Sequence, residues 1–183
     1  DRVGGAVQGV IGFLARQQGQ APVLDFTGLG DMIVEGTIEV AREASYNSTV
    51  GFYRILDVSG AVEDHLTGRT LLPGDDGYQE AALHQNNLFS ALGDLAVSNL
   101  GLSSRELSIS ADSTLAPFAV VEAGRERHTY FAYQEANADG VQHFQMLSDN
   151  TFGLEDLYGG GDRDFQDLVV TFRPTGLILP PPV

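Results

Sequence analysis

The sequence contains no cysteine. Disulfide staples, thiolate nucleophiles and Cys-ligated zinc are therefore all excluded. Secretion is not excluded, because bacterial surface proteins can use calcium where others use disulfides. Basic residues are scarce, with ten Lys and Arg against 25 Asp and Glu and a net charge of −15. A surface of that sign repels nucleic acid and anionic membrane, whose recognition needs clustered Lys and Arg. No apolar run approaches the roughly 20 residues of a membrane-spanning helix. The longest weakly polar stretch, Val3 to Leu14, is broken by Gly4, Gly5, Gln8, Gly9 and Gly12. With no basic segment ahead of it, it does not read as a secretory signal.

Catalytic signatures are missing too. No serine sits in a G-x-S-x-G elbow. His65, His84, His128 and His143 are scattered without metal-ligand spacing, which leaves them ordinary packing or surface roles. Asp75 with Asp76, and Glu63 with Asp64, fit turn or capping duties better than a glycosidase pair. The chain is expected not to be an enzyme.

What is present is a β pattern. Apolar residues make up 43% of the chain, enough for a core, and 22 Gly and seven Pro punctuate short runs rich in Val, Ile, Phe, Tyr and Thr. This predicts an all-β fold, an antiparallel, jelly-roll-like β-sandwich. Strands are predicted at Met32 to Ala41, Thr49 to Asp57, Glu106 to Ser110, Phe118 to Glu122, His128 to Tyr133, Gln142 to Leu147 and Asp167 to Arg173. In the last, Leu168, Val170 and Phe172 share one face. Phe52, Tyr53, Tyr130, Phe131 and Tyr133 are expected mostly in the core. One short helix is predicted within Tyr78 to Leu92, with Asp75 and Asp76 as caps. The organisation reads as a Gly-rich N-terminal arm (1–30), a sandwich domain (31–174) and a Pro-rich tail (175–183) ending in Pro180 to Pro182.

The densest chemistry lies in FGLEDLYGGGDRDFQDLVVTF, Phe152 to Phe172. Glu155, Asp156, Asp162, Asp164 and Asp167 fall within 13 residues, offset only by Arg163. Gly159, Gly160 and Gly161 between the acidic groups allow a tight reversal through positive φ. Asp162 and Asp164, two apart, would project to one side of an extended backbone. Like charges so gathered repel unless a cation neutralises them. Calcium suits an irregular all-oxygen set, whereas softer metals want His or Cys. The segment is not an EF-hand, since DRDFQD lacks the loop's Gly at position 6 and Glu at 12. Nor is it a phosphate cradle, because the acids after the glycines repel an anion.

The segment FGLEDLYGGGDRDFQDLVV resembles the signature of a bacterial domain family of unassigned function, found in calcium-rich, RTX-type adhesins and cyanobacterial secreted proteins. GFYRILDVSGAV (51–62), LLPGDDGYQEAAL (71–83), LAPFAVVEAG (115–124) and YFAYQEANADGVQHFQML (130–147) resemble its earlier parts, so the likeness spans residues 35–173. It implies a secreted β-sandwich holding Ca²⁺ through Glu155, Asp156, Asp162, Asp164 and Asp167, with Asn137 and Asp139 as further candidate ligands. The expected function is a structural subunit of an extracellular bacterial filament or matrix, self-associating through its terminal arms. The alternative is a calcium-dependent, lectin-like adhesion module for sugar or peptide, cell-surface or matrix polysaccharide being the expected partner.

Overall fold

The computed structural model describes residues 21–26, 28–111, 113–179 and 182. Strand β2 (Ile33–Arg42) shows why this sequence makes sheets. Its residues alternate between half-buried and buried along its whole length, so every second side chain enters the core. It is paired antiparallel on one side with β6 (Leu102–Ser110) and on the other with β11 (Leu168–Ile178). Beyond β11 lie β10 (Thr151–Leu154) and β9 (Phe144–Ser148), which completes a five-stranded sheet ordered β6-β2-β11-β10-β9. The second sheet is built on β7 (Thr114–Ala123), which pairs with β3 (Asn47–Arg54) on one flank. Its other flank carries β1 (Leu24–Asp25) and β8 (Glu126–Phe131). All these pairings are antiparallel, and the fold is an all-β sandwich.

The main core lies between the sheets, with Val34, Ile38 and Val40 meeting Val50, Phe52, Phe152, Val170 and Phe172. Phe52 and Phe152 join the two sheets edge-to-face, their ring centroids 6.0 Å apart. A second, smaller core lies on the outer face of the four-stranded sheet. There the hairpin β4 (Val62–Asp64) and β5 (Arg69–Leu71), with helix α1 (Tyr78–Ala82), packs on Tyr53 and Phe131. The Tyr53 and Tyr78 hydroxyls lie 3.1 Å apart, and Tyr78 also donates to the Gly60 carbonyl.

Leu168, Val170 and Phe172 are buried on one face of β11, as their alternation predicts, and the five aromatics expected in the core are all buried. The short helix predicted within 78–92 is α1, one turn long, with the Asn87 amide donating to the Ala81 carbonyl near its end. Leu88 beyond it bridges to Tyr53 instead. Asp75 and Asp76 do not cap α1. Its N-cap is Gly77, in the left-handed region, while the Asp75 carboxylate accepts from the Leu72 N–H. The strand read as ending at Arg173 continues to Ile178, crossing a bulge at Thr175, between Pro174 and Gly176, where the ladder with β2 shifts register. In the segment read as an arm, Val23, Leu24 and Phe26 are buried. Residues 1–20, Pro180, Pro181 and Val183 lie outside the described residues. Among the described residues, no helix is long and apolar enough to cross a membrane.

Candidate metal centre

Strands β10 and β11 are adjacent and antiparallel, and Leu154 faces Leu168 as their last register pair. The next residues outward, Glu155 and Asp167, are therefore set across from each other at the base of the 155–167 loop. Gly153 makes the closure possible. A Cβ there would collide with the Phe165 carbonyl oxygen, which lies directly over the strand. Phe165 itself is buried and pins the far limb of the loop.

The triple glycine turns with φ of 82°, 90° and 35°, and a Cβ on Gly161 would strike the Glu155 carboxylate. Only glycine allows so close a wrap around that side chain. Arg163 and Phe165 also have positive φ, at 61° and 57°. Such non-glycine residues each cost roughly 1–2 kcal/mol. Asp162 and Asp164 therefore do not lie on an extended strand, as their spacing suggested; they meet across a left-handed residue.

The result is two acidic groups with one shared member. Carboxylate oxygens of Glu155, Asp156 and Asp167 lie within 4.8 Å of one another, and so do those of Glu155, Asp162 and Asp164. The first triad is largely buried, with Glu155 only 1% exposed, and the second opens to solvent at Asp162 and Asp164. Each carboxylate has an oxygen held by a donor. Arg163 N–H donates to Glu155 at 2.9 Å, Asp156 N–H to Asp167 at 2.8 Å, and Gln166 N–H to Asp164 at 2.9 Å. Asp164 N–H donates to Asp162 at 3.3 Å, and the buried Ser48 hydroxyl of β3 to Asp156 at 3.5 Å. Such bonds fix the orientation of the carboxylates.

Burial, followed by the Asp167 charge, pushes the Glu155 carboxyl up to about 7. The same two causes push Asp156 up to about 6, partly opposed by Ser48 and the Arg42 guanidinium. A cation at these oxygens would have to compete with protons for them.

Asn137 and Asp139 do not join either triad. The Asn137 amide is spent on backbone, accepting from Phe131 N–H and donating to the Phe131 and Val141 carbonyls. Asp139 is a brace for the glycine turn, accepting from Gly159 N–H at 2.9 Å and Val141 N–H at 3.1 Å. Burial alone would raise Asp139, but these bonds and His143 hold it below the usual carboxylate value. His143 is fully buried between two acceptors, with Nε2 2.8 Å from Asp139 and Nδ1 2.7 Å from the Glu155 carbonyl. Tyr130 stacks flat on the His143 ring with centroids 3.5 Å apart. Ser48, Arg42 and Tyr130 were not legible as site residues, because each arrives from a strand distant in sequence, and His143, just ahead of β9, carries no metal-ligand spacing.

Residues 106–175 match a family model described as a domain of unknown function, DUF4114. The matched stretch holds the whole acidic loop and every strand from β7 to β10, so the later part of the likeness read from the sequence is that of a domain family without assigned function. No curated protein and no solved structure matches the chain.

Proposed function

We propose that the 155–167 loop is a calcium centre and that the domain serves as a calcium-stapled structural unit of an extracellular bacterial surface or matrix protein, without catalytic activity. One observation carries the reading: five braced carboxylates are gathered into two triads that share the buried Glu155. Two oxygens on opposite sides of a calcium ion, at about 2.4 Å each, are about 4.8 Å apart, so oxygens within that span suit one ion. The donors are hard oxygens without a thiolate, which favours calcium over zinc or copper. Glu155, Asp156 and Asp167 would hold an inner cation, and Glu155, Asp162 and Asp164 an outer one. The ion would supply charge neutralisation and a cross-link between β10, β11 and the glycine turn.

A loop of this kind tolerates millimolar affinity, which suits an extracellular module. The acidic motif's likeness to adhesin and secreted-protein domains supports the same setting, and self-association through the terminal segments remains part of the proposal. Isothermal titration of the metal-stripped protein with calcium chloride tests the centre. The expected result is saturable binding that Glu155→Gln abolishes and Asp164→Ala weakens. Absence of calcium binding by the wild type would overturn the reading.

A further inference from the structure

On β3, Ser48 points inward to the acidic centre, so its neighbours Asn47, Thr49 and Gly51 face the other way. They floor a cavity of about 350 Å³ on the outer face of the four-stranded sheet, beside the small second core. That volume falls in the range of small-molecule sites, about 300–1,000 Å³. Phe118 lines it. A Cβ at Gly51 would lie 2.7 Å from Cε1 and Cζ of the Phe118 ring, so the absent side chain lets that end of the ring lie against the strand. Tyr53 and Phe131 hold the ring from the second core, with centroids 6.3 and 6.5 Å away. Phe118 stays half-buried, a fixed ring at the wall of a cavity. Phe89 lines the cavity as well, but its ring is engaged by the Arg54 guanidinium at 4.9 Å.

The rim is polar. Glu122 and Arg127 are register partners on β7 and β8, and both reach the cavity, as does Asp94. Asp94 has a left-handed backbone, φ 54°, of the sort that gathers at binding sites. Two carboxylates and one guanidinium, on a chain of net charge −15, repel anionic ligands. We propose that this cavity binds a neutral pyranose sugar, whose apolar ring face stacks on Phe118 while its hydroxyls pair with Asp94, Glu122 and Arg127. A neutral polyol fits this mixture, because each hydroxyl donates to a carboxylate and accepts from a guanidinium. The site is independent of the cation reading, being on the opposite face of β3.

The test is a glycan array of neutral and uronic-acid-containing glycans probed in calcium and in EGTA, followed by NMR titration with methyl glucoside, galactoside and mannoside. Neutral glycans should bind in both buffers, and the methyl glycosides should shift amide signals of β3 and β7. If only polymers bind, with the same shifts, the source is polysaccharide rather than free sugar and the site stands. Arg127→Ala and Asp94→Asn, both exposed, should keep the fold and weaken binding about tenfold or more. Phe118→Leu should weaken it further. The proposal is overturned if no neutral glycan binds, if only acidic glycans bind, if R127A and D94N bind like wild type, or if EGTA abolishes binding while the fold persists.

Discussion

Glu155 belongs to both triads and is nearly excluded from water, so its protonation reports on the whole centre. Its carboxyl is raised to about 7 in the folded chain against a reference of 4.5. The stability that this contributes is fully present below the unfolded value and is lost as pH rises through about 7. In EGTA, the melting temperature should therefore fall by about 5 °C or more between pH 5 and pH 8. Saturating calcium should remove that fall, because the ion replaces the proton. Calorimetry at several pH values checks both, and Glu155→Gln should reduce the EGTA fall, leaving the part due to Asp156, which is raised to about 6. The acids themselves were legible, since five carboxylates around three glycines stand out in any reading. Their orientation was not. Spacing suggested an extended Asp162–Asp164 pair, and nothing in the letters R and F at 163 and 165 announces left-handed backbone.

At the scale of elements, the loop depends on the strand beneath it. Gly153→Ala would drive a Cβ into the Phe165 carbonyl and should cost about 2 kcal/mol or more by overpacking. It should also weaken calcium binding, although residue 153 offers no ligand. Denaturant melts with calcium titration read both, and unchanged affinity would show that the strand does not set the loop. Asn87 makes the same point for the second core, where its amide holds the Glu63 and Ala81 carbonyls. Asn87→Ala should destabilise by about 1–3 kcal/mol, as buried carbonyls lose their partners. β2 was legible because one face is buried along its whole length, and β11 only as far as Phe172, where its buried alternation ends. β1 and β10 were not, at two and four residues, because so short a segment carries no period. The short helix within 78–92 was legible in its apolar spacing, and its exact end was not.

At the scale of the molecule, the acidic loop joins β10 to β11, the strand that links it to the longest ladder of the five-stranded sheet. A cation there would tie a local loop to the centre of the sandwich, so binding should raise global stability by mass action. Assembly is a separate matter. Deleting Asp1 to Gln20 should reduce particle size by light scattering if the N-terminal segment joins subunits, and unchanged size would sink that part of the proposal. The central claim is tested most directly by the melting temperature of the full chain at pH 7.5 in calcium and in EGTA, on wild type and Glu155→Gln. Calcium should raise the wild-type melting temperature by about 5 °C or more and leave the variant unmoved. Equal melting of the wild type in both buffers would contradict the account.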